Sequence, residues 1–273
     1  MDDASQQPPF AWQPLTPGGV AAFARATLGR LLLVQFVVAL LAGGAVAWFL
    51  HREWFPVITE AINKLPPQGQ VLSGRLDWHG DSPRMLAESR FLALTVDLSH
   101  EGSARSPSHV QVEFGQNDIR VFSLFGFART AYPRGWPLPF NRPELEPRWG
   151  AWRPAILALA LGVVVAALLL SWWLLAWLYC WPAWLVGFFA NRDLGVKASR
   201  RLAGAALLPG AVFLIGAMVL YRLGVLDLIR LTVAAGLHLA VGWLYLALSI
   251  PCLPRHPAAS QGKGNPFDKK RGR

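Results

Sequence analysis

Residues 154–190 run for 37 positions without one formal charge. As a single helix they would rise about 55 Å, well past the ~30 Å hydrocarbon core of a bilayer. Apolar runs of this length belong in lipid. Charged residues make up only 15% of the chain, against roughly 25% in soluble proteins. The run exceeds one span, so something must end it. Pro182 is the expected break, because proline removes a helix hydrogen bond and crowds the preceding turn. Residues 154–180 are thus read as a span, and 181–190 as a segment turning along the interface.

Three further uncharged or nearly uncharged stretches are long enough to cross. Residues 31–50 carry no formal charge, residues 202–221 carry none, and residues 228–250 carry only Arg230 near one end. The expected fold class is a membrane α-helical bundle of four transmembrane helices, with a small α+β or β-rich domain inserted between the first two. The net charge of +10 sits mainly in short flanks. Arg25 and Arg30 precede the first span, Arg192, Lys197, Arg200 and Arg201 follow the second, and residues 251–273 form a basic tail. Such flanks stay in the cytoplasm. Both termini are therefore expected inside and residues 51–153 outside an inner membrane. Flanking charge is not a basic face, so nucleic acid is not an expected partner. The lipid bilayer is, and the tail can attract anionic headgroups. Residues 1–30 are read as a cytoplasmic segment whose part from Thr16 to Arg30 forms a short interfacial helix. Ala45-Val46-Ala47 resembles a cleavage site, but the leader would be unusually long, so an uncleaved anchor is expected.

Residues 51–153 hold 12 basic and 11 acidic side chains, and their apolar residues begin to alternate. Trp54, Ile58, Ala61, Ile62 and Leu65 follow a helical period ending before Pro66-Pro67. Strands are predicted where Leu72, Leu76 and Trp78 alternate with polar residues, at Leu92–Leu98, at Val110–Phe114, and at Ile119–Leu124 after the turn Gly115-Gln116-Asn117-Asp118. Residues 126–153, rich in Pro, Gly and Trp, read as loop.

The candidate functional residues are few. Gln35 and His238 are polar groups within predicted spans, where an ionisable residue is a functional hypothesis by default. Trp173, Trp177, Trp181 and Trp184 recur at helical spacing; they read as an aromatic belt or as the lining of a lipid or quinone groove. In the outer domain Asp97, His100 and Glu101 cluster, as do Asp77, His79 and Asp81, but loose ligands on loops are more often solvated, and no metal or cofactor is expected. Cys180 and Cys252 read as packing residues, with lipid attachment at Cys252 the sharper alternative. Ala39, Gly43 and Ala47, Ala206 with Gly210, and Gly236 with Ala240 lie four apart, as close-packed helices require. No phosphate loop, zinc helix or nucleophile elbow occurs, so no catalytic activity is expected.

Leu65-Pro66 with Gly74-Arg75-Leu76, then Leu94-Thr95-Val96-Asp97, then Asp118-Ile119 carry a resemblance. With an N-terminal span, an outer β-rich module and a C-terminal helix cluster, the chain resembles the bacterial membrane proteins of domain-of-unknown-function family 1189. The resemblance implies this architecture and no activity. The expected function is a non-enzymatic accessory, sensor or scaffold whose outer domain binds a protein partner or ligand. A lipid or small-molecule permease or flippase, using Gln35 and His238 as a polar path, is the alternative.

Overall fold

The computed structural model describes residues 12–255. Four helices in it are long and apolar enough to cross a membrane, and a small β-sheet region lies between the first and second. The chain divides into two compact units: residues 1–43 with 163–273, and residues 44–162.

The first unit is helical. Helix α1 (Pro17–Ala22) begins at Thr16, whose hydroxyl accepts from the Gly19 amide at 3.1 Å. Val20 and Phe23 are fully buried, and α1 packs on α5 (Val196–Arg222) and α6 (Leu228–Ser249). Helix α2 (Leu28–Phe49) contributes Leu31, Gln35, Val38 and Ala39 to the interior. The longest helix, α4 (Arg142–Phe189), leaves most of its apolar side chains uncovered; its most apolar window is 11% buried. A surface of that kind suits lipid contact.

Helix α4 passes through Pro182 without a break, so the expected turn at 181–190 is corrected. The proline forfeits one hydrogen bond. Unwinding the last two turns in apolar surroundings would strand several backbone groups, each at several kcal/mol.

Helices α5 and α6 pack most closely. A side-chain carbon at Gly210 would fall onto the backbone carbonyl of His238, and one at Gly242 would meet Leu207 and the Ala206 carbonyl. The expected Ala206–Gly210 row thus forms a contact. The expected Gly236–Ala240 row does not: nothing lies within 4 Å of where a Gly236 side chain would begin. Its role passes to Ala234 and Gly242, both buried. In α2, Ala39 and Gly43 are buried and Ala47 is half-buried.

The basic flanks of this unit converge. Arg201 donates to the Ala26 carbonyl, and Arg192 Nη1 donates to the Leu253 carbonyl at 2.7 Å. The Asp193 amide bonds the Pro254 carbonyl at 3.0 Å. The start of α2, the loop before α5 and the chain after α6 therefore meet at one end. The tail residues Lys263, Lys269, Lys270, Arg271 and Arg273 lie outside the described residues.

The second unit begins with the end of α2. A π-helical turn, Leu50–Trp54, leads into α3 (Phe55–Asn63). Five strands form one sheet: β3 (Arg84–Glu88), β4 (Leu92–Val96), β5 (Val110–Phe114), β6 (Asp118–Ser123) and β7 (Gly126–Ala131), side by side in that order. A smaller sheet has β1 (Gly69–Leu72) at its centre, between β2 (Arg75–Trp78) and β8 (Leu138–Pro139). Leu92, Leu94 and Val96 share a face and bury it against Val57 and Ala61 of α3 and Val71 and Leu76 of the small sheet.

The strand count is twice the four expected, for local reasons. The predicted strand Leu72–Trp78 is a hairpin: Ser73 and Gly74 have φ of +51° and +81°, the double left-handed turn that joins two strands tightly. The stretch 126–153 is not loop: it holds β7, β8 and the start of α4. Asn141 caps α4, its Oδ1 accepting from the Glu144 amide at 3.1 Å while its Nδ2 reaches the Glu144 carboxylate at 3.3 Å.

Strands β4 and β5 are parallel, paired from Leu92↔Val110 to Val96↔Phe114. A parallel pair needs a crossover, usually a helix. Here residues 97–109 make it without one, and they cover the second face of the sheet.

Candidate functional site

Strand β5 would ordinarily turn its polar positions to water. Instead Gln111 and Glu113 are buried, beneath the crossover. Their side chains hold it down. Gln111 Oε1 accepts from the Ser106 amide at 3.0 Å, and its Nε2 donates to the Ala104 carbonyl at 2.9 Å. Ser106 Oγ donates to Glu88 at 2.6 Å. The first turn of the crossover is fixed by Asp97, fully buried, whose carboxylate accepts from the Gly102 amide at 3.0 Å.

At this end His100, Glu113, Asp118, Arg120 and Arg129 come together. His100 takes a left-handed backbone conformation, φ +57°, which aims its ring at the sheet. Its Nδ1 meets the Glu113 carboxylate, and its Nε2 meets Asp118 Oδ1 at 2.6 Å. Asp118 also takes the Arg129 guanidinium, and Arg120 lies 3.9 Å away. The Glu113 and Asp118 side chains are 2% and 3% exposed. The two ring nitrogens thus bridge the two carboxylates, and Arg129 gives Asp118 a second partner.

Burial pushes the Asp118 carboxyl up, but hydrogen bonds and charge from His100 and Arg129 outweigh it and hold the group below its usual range. Burial, then the negative charge of Asp118, pushes the Tyr132 phenol up. Tyr132 donates its hydroxyl proton to the Gly115 carbonyl at 2.9 Å.

The structure therefore joins Asp97 and His100 in one polar layer, and adds Glu113 and Asp118, which the sequence reading passed over. Glu101 is exposed. Asp77 and His79 pair at 3.3 Å on the surface, and Asp81 is exposed. Both nitrogens of His100 are engaged by different carboxylates, and among the described residues no three His, Cys, Asp or Glu groups are placed to hold a metal ion. The layer ties the crossover to β5 and β6, with the buried Arg120 Nε the one group in it, among the described residues, that makes no hydrogen bond.

In the helical unit, Gln35 and His238 are not brought to a shared path. Gln35 is buried and donates to the Gly204 carbonyl of α5 at 3.2 Å. His238 Nδ1 meets the Ala235 carbonyl of its own helix. Trp173 and Trp177 are both exposed on α4 and line two neighbouring grooves, which share Leu28, Arg200 and Arg201 as walls. Gln35 lies in the smaller of the two. Cys180 is buried, with its thiol on the Trp177 carbonyl at 3.0 Å, and Cys252 is exposed.

The chain is thus defined as four long apolar helices with one small β-sheet unit. No family model, curated protein or solved structure matches it.

Proposed function

We propose that the protein is a non-enzymatic membrane accessory of the architecture shared with domain-of-unknown-function family 1189, whose β-sheet unit captures an extended segment of a protein partner along strand β7. One observation carries this reading: all six residues of β7 are exposed, and the strand forms one edge of its sheet. An open edge presents a row of unpaired backbone donors and acceptors, which proteins ordinarily blunt. The opposite edge is blunted: β3 has an irregularity between Met85 and Ala87 and packs against α3. Phe125, just before β7, and Phe127 within it are 78% and 67% exposed. Addition of a strand, with side-chain anchors at the aromatic pair, is the recognition mode that such an edge supports.

A photo-crosslinker at Ala128 in membrane-embedded protein is expected to yield one reproducible adduct that a Phe125→Asp, Phe127→Asp variant loses. Adducts only to lipid, or an adduct indifferent to the two substitutions, would refute strand capture.

In this reading both ends of the chain are cytoplasmic and residues 51–153 are outside. The convergence of the three basic flanks at one end of the helical unit supports it, since lysine and arginine retain loops inside. Reporter fusions at residues 28, 196 and 265 are expected to give cytoplasmic signals, and those at 100 and 224 outer ones; a cytoplasmic signal at 100 would invert the assignment.

The alternative permease reading has less support. Gln35 and His238 are each spent on a backbone carbonyl, in different places.

A further inference from the structure

We infer that the helical unit carries a built site for one anionic phospholipid, in the groove between the start of α2, the last turns of α4 and the start of α5. The inference rests on the four helices lying in lipid and is independent of what β7 binds.

The groove has two chemically distinct ends. One, of about 390 Å³, is bounded by Lys197, Arg200 and Arg201 on one side and by Trp177 and Trp181 on the other. It opens at Leu28, Arg200 and Arg201 into a second part of about 150 Å³, lined by Leu32, Trp172, Trp173 and Ala176. A cationic mouth leading into an aromatic and aliphatic trough matches the two halves of a lipid: a phosphate and an acyl chain.

The charges at the mouth call for an anion. Arg201 is anchored, donating to the carbonyls of Ala26 and of Lys197. Among the described residues, neither Lys197 nor Arg200 has a carboxylate partner, and the one acid in this segment, Asp193, is bound only through its backbone amide. Arg200 is half-buried beside the apolar wall. A guanidinium that shares a groove with tryptophan rings and has no internal counter-ion is biased toward a phosphodiester, which it can bind with two parallel hydrogen bonds. Free phosphate would satisfy the charge but leave the trough at Trp173 empty.

The test uses the full-length protein in detergent, with native mass spectrometry after addition of phosphatidylglycerol or phosphatidylcholine of matched chains. One phosphatidylglycerol is expected to be retained, at least fivefold in preference to phosphatidylcholine. Lys197→Gln with Arg200→Gln should bring that preference close to one, each charge being worth up to about fivefold. Arg200→Lys, which keeps the charge but loses the paired hydrogen bonds, should retain part of the preference, and unchanged phosphatidylcholine retention in the double variant shows that its loss of preference is not misfolding. Trp173→Ala should weaken retention of both lipids. Equal retention of the two lipids, a preference untouched by the double substitution, or displacement of the lipid by 100 mM inorganic phosphate would overturn the site.

Discussion

Replacing His100 with alanine is expected to destabilise the β-sheet unit by about 3 kcal/mol. The substitution removes the donor that faces two carboxylates with side-chain exposures of 2% and 3%. Asp118 keeps Arg129, so most of the cost falls on Glu113, which is left buried without its ring partner. Hydrogen exchange at residues 110–123 in the intact protein measures the effect. Adding Glu113→Gln to the variant should recover roughly 1 kcal/mol or more, because a buried amide is cheaper to leave unpaired than a carboxylate. No recovery would mean that His100 acts by packing alone. Acid provides an independent check. The folded-state value of Asp118 lies below its ordinary 3.8, so its contribution is complete above that pH and is lost as the pH falls through the folded value. Protection of β6 should therefore fall below about pH 4, and this acid dependence should shrink in His100→Ala, where the carboxyl has lost one of its two main partners.

The second large effect is expected at Gly210. Valine there would set its Cβ on the His238 carbonyl, which is backbone and cannot swing aside. Helices α5 and α6 must then separate, at a cost of about 3 kcal/mol, near the upper end for an overpacked interior. Gly236→Val, on the same pair of helices but facing open space, should change stability by less than about 0.5 kcal/mol. Unfolding of the purified protein in mixed micelles compares the two. Equal effects would show that valine perturbs the helices rather than their contact.

These two sites also mark how far the residues could be read without coordinates. Small residues four apart announced close packing, and Ala206 and Gly210 deliver it. A four-residue spacing does not say which of several such rows faces inward, and Gly236 with Ala240 faces out. Strand β5 was legible from Val110, Val112 and Phe114, yet the same alternation made Gln111 and Glu113 look solvent-facing. Their burial depends on a crossover whose course is a long-range property, invisible to any local window. His100 and Asp97 stood out as a cluster because they are near in sequence. Glu113 and Asp118 join them only through the pairing of β4, β5 and β6. The start of α4 was missed because the prolines around Asn141 read as loop, although Asn141 caps the helix.

The helix-free crossover has a kinetic consequence. The β5–β6–β7 meander closes through short turns and can form early, whereas the parallel β4–β5 pair must first close a span of 13 residues, 97–109, at an entropic cost. The clasp made by Gln111, Glu113 and Asp118 needs that pair, so it is expected to close late. Substitutions in it are then expected to speed opening of the unit more than they slow its formation, which folding and unfolding rates would check. The layer works as a latch that sets the lifetime of the fold.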